Sequence, residues 1–177
     1  MSGDERSRTV SAWVSLGSNL GSRRQLMAAA IDGLDQLPGT TVAEVSSLYE
    51  TPPWGDTEQG AFLNAVARLD TRLEALALLE ALLSLEQALG RRRDSGRRWG
   101  PRLIDIDLLL YGDGFRCATD TLELPHPRLA ERAFVLVPLV ELSPREPVPG
   151  FGTAQDQLST LDTGGIVRVA SADWFKT

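Results

Sequence analysis

Three residue types are almost missing from this 177-residue chain: it has one cysteine, Cys117, one histidine, His126, and one lysine, Lys176. A lone cysteine excludes an internal disulfide framework and suits a reducing cytoplasm. A lone histidine excludes a multi-histidine metal cage. With its only lysine near the C-terminus and no G-x-x-x-x-G-K-[ST], the chain has no P-loop nucleotide site. Nowhere do eighteen apolar residues run together, and no basic-then-apolar leader opens the chain, so neither a membrane span nor a secretion signal is expected. The net charge of -6 and pI near 4.8 leave no basic field of the kind that bulk nucleic-acid binding needs. At 42% hydrophobic residues, the chain suits one soluble globular domain over 10–177, behind a flexible polar N-terminus at 1–9.

What the chain does have is arginine, concentrated in one place. GRRRDSGRRWGPRLIDIDLLLY, from Gly90 to Tyr111, sets six arginines and Trp99 directly before a run in which Ile104, Ile106, Leu108 and Leu110 alternate with Asp105, Asp107 and Leu109. Such alternation reads as a strand, and a strand sends successive side chains to opposite faces, so Asp105 and Asp107 share one. Two carboxylates so placed converge on a hard cation such as Mg2+, which takes oxygen ligands and keeps waters and substrate phosphates in its shell. Arginines just upstream supply planar guanidinium forks that match phosphate oxygens. Meeting at one strand end, the two charge types point to phosphate transfer rather than to a solvated turn beside a solvated strand face.

Along the chain, Val10, Ala12, Val14 and Leu16 alternate as a first strand. Ser22 followed by Gln25 has capping-box spacing and opens a helix with the stripe Leu26, Ala30, Leu34, Leu37, stopped by Pro38-Gly39. Thr41 to Glu50 is β-rich, and TPPWGDTEQG at 51–60 then breaks all periodicity, which marks a functional loop. Alternation resumes from Phe62 to Leu69, with Phe62 and Asn64 on one face and Leu63, Ala65, Ala67 and Leu69 on the other. Leu78, Leu82, Leu85 and Leu89 mark a long helix ended by Gly90, with Glu86 either facing ligand or solvated. Gly112 to Gly114 reads as a hairpin tip, Pro125-His126-Pro127 as a stiff turn, Arg132 to Leu142 as a helix broken at Pro138, Pro144 to Gly150 as a surface loop, and Ile166 to Val169 as a late strand. The order β, α, β, β, α, β predicts an α+β fold, a ferredoxin-like (βαββαβ) antiparallel sheet with helices on one face and C-terminal additions. The first and fourth of these strands are expected in its middle, with the face of Phe62, Asn64, Asp105 and Asp107 left open to ligand.

GSNLG at Gly17 to Gly21, SSLYETPPWG at Ser46 to Gly55, FLNAV at Phe62 to Val66, the arginine and aspartate stretch, and LPHPRLAERAFVLVPLVELSP from Leu124 resemble, in the same order, the motifs of the 6-hydroxymethyl-7,8-dihydropterin pyrophosphokinase family. The resemblance runs from about Val10 to Pro149. It implies a Mg-dependent enzyme of folate synthesis in which ATP donates an intact diphosphate to the pterin hydroxymethyl group and leaves as AMP. It also implies that Asp105 and Asp107 ligate two Mg2+ ions bridging the ATP phosphates, with Arg91, Arg93 and Arg102 as phosphate-contacting and loop arginines. Trp99 belongs, on this resemblance, to a mobile catalytic loop over ATP, and His126 and Arg132 are further ATP contacts, the histidine donating to phosphate. Phe62 and Phe134 are expected to sandwich the pterin, Asn64 and the backbone around Thr51 to read its amide edge, and Tyr49 to line the same pocket. The partners implied are small molecules, with no nucleic acid and no membrane, and the protein is expected to be a cytoplasmic monomer or weak homodimer. A nucleic-acid binder with Phe62 and Trp99 stacked on bases is the competing reading, and carboxylates on the binding face count against it.

Overall fold

The computed structural model describes residues 8–53, 55, 57–90 and 103–176. Arg91, Arg93, Trp99 and Arg102 lie outside the described residues, as does most of the N-terminus expected to be flexible over 1–9.

Alternating apolar residues become strands where the pattern places them. β1 (Val10–Ser18) buries Ala12, Val14 and Leu16 on one face and Trp13 on the other. It pairs antiparallel with β4 (Phe62–Thr71) on one side and with β5 (Asp105–Tyr111) on the other. β2 (Thr40–Val45) and β3 (Leu48–Thr51) both pair with the far side of β4, and β10 (Val167–Ala170) adds beside β3. Among the described residues the order is β10-β3-β4-β1-β5. The middle is therefore held by β1 and β4, and the Asp-bearing strand, expected there, is the outer one. Because β2 and β3 already occupy the far side of β4, the strand after the second helix has only the free side of β1 to pair with.

α1 (Arg23–Asp35) and α2 (Ala75–Ala88) pack on one face of the sheet. α1 buries Met27, Ala30, Ile31 and Leu34, a stripe turned slightly from the expected one, and Ser22 makes no side-chain cap bond, so the capping-box spacing goes unused. α2 buries Leu78 and Leu82 completely, each contributing about 2 kcal/mol of transfer free energy. α3 (Ala133–Leu142) and α4 (Ala154–Leu158) belong to a second cluster on the opposite face, with Trp13, Val66, Leu109 and Leu110. Helices on one face therefore describes α1 and α2, while the C-terminal additions cover part of the other face. Leu110 joins this second cluster because the β1–β5 register shifts by one residue between Trp13 and Val14, a bulge that turns Leu109 and Leu110 to the same side.

Pro138 lies inside α3 instead of ending it. The helix buries Val135, Leu136, Pro138 and Leu139, and that packing outweighs one missing backbone donor. The hairpin tip also moves: β6 (Cys117–Ala118) pairs with β7 (Glu123–Leu124), closed by a bond from the Thr119 amide to the Leu122 carbonyl. Gly112 and Gly114, both at positive φ, turn the chain out of β5 without a pairing strand after them. The expected loop near Pro144 to Gly150 holds part of a small hairpin, β8 (Pro147–Val148) with β9 (Gly152–Thr153). Among the described residues no helix is long and apolar enough to cross a membrane.

Candidate active site

Strand register assembles the site. Gly17 on β1 pairs with Asn64 on one side and with Asp105 on the other, and Asn64 pairs in turn with Tyr49. Directly paired residues lie on the same face, so Tyr49, Asn64, Gly17 and Asp105 make one row across four strands. Ser15 brings Val66 and Asp107 into the next row, and Thr51 pairs with Phe62. This is the face turned away from α1 and α2. At about 4.8 Å per strand, the row separates Asn64 from Asp105 by about 10 Å. Its middle member has to be small, because a Cβ on Gly17 would lie 3.0 Å from Asn64 Oδ1.

α3 covers the rest of this face and brings the residues at its N-terminal end, Arg132 and Phe134, against the strip. Arg132 Nη1 approaches Asp107 Oδ2 at 3.4 Å, and His126 Nε2 approaches the same oxygen at 4.0 Å. The Arg132 guanidinium also lies 5.8 Å from the centre of the Phe134 ring, within cation–π range.

Burial pushes the His126 pKa down to about 4, helped by the neighbouring Arg132 guanidinium and opposed by Asp105. The ring is therefore neutral at pH 7, and its approach to Asp107 is not an ion pair. Nδ1 accepts the amide N–H of Arg128 at 3.1 Å, so the ring proton sits on Nε2, the atom that faces the carboxylates. A histidine held below its ordinary value costs no stability above pH 6.5. Below that pH the unfolded chain takes up a proton that the native state refuses, down to about pH 4. Relative to His126→Gln, the native protein should lose about 1.4 kcal/mol per pH unit through that window. Urea titrations of both proteins at pH 7, 6 and 5 check this, and a stability difference independent of pH would contradict it.

Asn64 is buried and donates Nδ2 to Thr51 Oγ1 at 2.6 Å, which leaves its Oδ1 on the side of Gly17. Glu86 is not the solvated helix residue that its spacing allows. It is 1% exposed, and its Oε1 accepts the amide N–H of Ile106, the residue between the two aspartates, at 2.6 Å. The GSNLG motif holds the loop that precedes β4: Asn19 Nδ2 donates to Gln59 Oε1 at 2.9 Å and to the Gly60 carbonyl at 3.3 Å. Arg23 adds bonds to the Ala61 carbonyl at 2.8 Å and to Glu50 at 3.1 Å.

Glu141 is the residue that sequence reasoning missed. Its Oε1 accepts both the Ser47 amide and the Ser47 hydroxyl, and its Oε2 accepts the Tyr49 hydroxyl at 2.5 Å. Tyr49 is thereby tied to α3, and burial together with the Glu141 bond pushes its pKa up. The available signal was a single carboxylate in the otherwise apolar run AFVLVPLVEL.

The donor set fits a hard divalent cation. Asp105 and Asp107 stand on one strand face with one residue between them, and both are partly exposed. Among the described residues no group of three or more His, Cys, Asp or Glu forms a closed metal cage. Two carboxylates leave room in the shell for water and phosphate oxygens, which is how Mg2+ is usually held beside a nucleotide.

The family model of 7,8-dihydro-6-hydroxymethylpterin-pyrophosphokinase (HPPK) matches residues 13–144, the span that contains the whole of this strip. The chain belongs to the HPPK family. It is 49% identical over 158 residues to a 2-amino-4-hydroxy-6-hydroxymethyldihydropteridine pyrophosphokinase of Methylorubrum extorquens, covering 89% of this chain and 98% of that one. The enzyme of the same name from Pseudomonas aeruginosa is 41% identical over 160 residues, 90% of this chain and 97% of that one. A Plasmodium falciparum HPPK-DHPS crystal structure superposes on 89% of this chain with a TM-score of 0.69; this chain spans 44% of that one, and at 14% identity the likeness is one of fold. In this HPPK chain Asp105 and Asp107, with His126 and Arg132 beside them, stand at one end of the strip and Tyr49, Thr51, Phe62 and Asn64 at the other, and Phe134 lies between, against Arg132 on one side and lining a cavity with Thr51 on the other.

Proposed function

We propose that this HPPK transfers diphosphate intact from MgATP to 6-hydroxymethyl-7,8-dihydropterin, giving AMP and the pterin diphosphate, as a step of folate synthesis. The observation that carries this reading is the cross-strand row: a carboxylate pair and a buried amide edge on one sheet face, about 10 Å apart, with a glycine between them. That spacing suits two substrates lying side by side, one polyanionic and one flat and polar-edged.

Asp105 and Asp107 would hold Mg2+, two ions in the ternary complex, and the metal would supply charge neutralisation at the transferring phosphoryl group. Arg132 adds a fixed positive charge beside Asp107, and the Nε2–H of His126 donates to phosphate without adding charge, since the ring is neutral. Arg91, Arg93, Arg102 and Trp99 are assigned to ATP on the family resemblance. On the pterin side, Phe62 and Phe134 hold the flat ring, and Asn64 with the backbone at Thr51 reads its amide edge. Tyr49 positions β3 through its bond to Glu141. Orientation and electrostatics account for most of what a protein can contribute to phosphoryl transfer, and this strip supplies both.

The order β3-β4-β1-β5 with α1 and α2 as crossovers supports a ferredoxin-like core, and residues 10–177 are read as one pyrophosphokinase domain. The protein is proposed to act in the cytoplasm as a monomer or weak homodimer on small-molecule substrates.

Gly17→Ala tests the row without replacing any residue assigned to a substrate or metal. The new methyl displaces Asn64 Oδ1, and the expected result is a rise of about tenfold in KM for the pterin with KM for ATP unchanged, about one hydrogen bond's worth of binding. Equal shifts in both constants would contradict it. The activity itself is tested by mixing protein, MgATP and the hydroxymethyl dihydropterin and identifying the nucleotide released. Pterin-dependent AMP is expected; ADP, or no turnover that depends on pterin, would overturn the assignment.

A further inference from the structure

The chain after Pro144 lies beyond the reach of the family model, yet part of it borders the site. A cavity of about 310 Å³ is lined on one side by Thr51, Pro52 and Phe134 and on the other by Leu161, Asp162 and Ile166. Its volume falls at the low end for a small-molecule pocket, about 300–1,000 Å³.

The segment 161–166 is braced at both ends by the elements that carry the pterin residues. Upstream, α4 packs with α3, and Gln157 Nε2 donates to the Ala130 carbonyl at 2.7 Å, in the short turn that precedes Arg132 and Phe134. Downstream, β10 pairs with β3, Val167 with Glu50 and Arg168 with Tyr49. The C-terminal end is pinned as well: Trp174 Nε1 donates to the Ser46 carbonyl at 3.0 Å, and Arg24 makes two bonds to the Trp174 carbonyl, at 3.1 and 2.9 Å. Within the segment, Asp162 Oδ1 accepts the Gly164 amide at 2.8 Å, and the Ile166 amide donates to the Thr163 carbonyl at 3.2 Å.

Gly165 is the point of contact. It sits at φ +81°, where side chains are strained, and a Cβ there would come within 3.0 Å of Pro52 Cγ. Only glycine lets the segment close this tightly on the residue that follows Thr51.

We propose that 161–166 is a wall of the pterin pocket and determines its specificity, seated by Gly165 on Pro52. This rests on the functional reading above. Gly165→Ala pushes the wall off Pro52, and Ile166→Ala removes apolar surface from it. Steady-state constants for the hydroxymethyl dihydropterin and for MgATP are measured separately on the full chain, with thermal unfolding alongside. Both variants should raise KM for the pterin on the order of tenfold, with kcat and KM for ATP within about twofold. If Gly165→Ala does not fold, Ile166→Ala, at a half-buried site, carries the test alone. Where the wild type does release AMP, an unchanged pterin KM in the variants, or parallel shifts in both constants, overturns the wall alone. A wild-type protein that releases no pterin-dependent AMP overturns the functional reading and the wall with it.

Discussion

Asp107→Ala lowers turnover by about three orders of magnitude and leaves the protein folded. The size follows from the proposed role: a metal-held triphosphate would lose one of its two protein carboxylates, and metal-ion stabilisation of transferring phosphoryl groups amounts to several kcal/mol, where each 1.36 kcal/mol is about tenfold in rate. The fold survives because Asp107 is 28% exposed at the side chain and lies at the strip rather than in either apolar cluster. One complication is Arg132, whose side chain is 10% exposed and faces Asp107 Oδ2. Asp107→Asn keeps an oxygen acceptor for that guanidinium while removing the charge that gathers cations. It should therefore match wild type in thermal unfolding and be no more active than Asp107→Ala. Near-normal turnover in either variant, measured as AMP release at saturating MgATP, would remove the metal assignment.

Glu86→Ala is expected to have the largest effect on stability among the site-related substitutions, about 1–3 kcal/mol, because it leaves the buried amide of Ile106 without its acceptor. Glu86→Gln keeps an acceptor oxygen in the same place and should recover most of that loss. The amide concerned belongs to the residue between Asp105 and Asp107, so loosening it also loosens the spacing of the two carboxylates. The concentration of Mg2+ required for half-maximal turnover should rise in Glu86→Ala and stay near wild type in Glu86→Gln. Hydrogen exchange at the Ile106 amide, read by NMR, gives the same contrast without turnover: fast in the alanine variant, slow in the other two proteins. Equal stability of Glu86→Ala and wild type would contradict the account of Ile106.

The parts of the fold that obey a period were legible from residues alone. Val10 to Leu16 and Phe62 to Leu69 alternate because one face of each packs on α1 and α2, and period two carries that burial directly into the sequence. The same alternation set Asp105 and Asp107 on one face, together with Phe62 and Asn64. Leu110 escaped because a bulge adds one residue to β5, and a bulge shifts register without changing composition. Strand order was misread for a different reason. Nothing local to IDIDLLLY distinguishes a central strand from an outer one, since β5 is covered on both faces and reads as apolar as a middle strand would.

At the candidate site, Asp105 and Asp107 stood out as charges within an apolar strand, whereas Arg132 and Phe134 entered only through the family resemblance. It was hidden where a polar residue does structural work behind the strip. Glu86 resembled any exposed helix glutamate until the position of Ile106 was known, and Glu141 betrayed itself only as a lone carboxylate in an apolar helix. The contact of Gly165 with Pro52 joins residues far apart in the chain, and no pattern within either segment announces it.

The central claim is that divalent metal is gathered at Asp105 and Asp107, on the face that carries Asn64. Paramagnetic broadening by Mn2+, titrated into isotope-labelled protein with a nonhydrolysable ATP analogue and the pterin, tests it directly by NMR. The predicted result is selective loss of the Ile106, Asp107 and Gly17 backbone amides first, with partial broadening of the Asn64 side-chain amide and sharp signals at Ile31. Broadening centred instead on the other acidic cleft, where Asp32, Asp35, Glu44 and Asp173 surround a cavity of about 340 Å³, would contradict it.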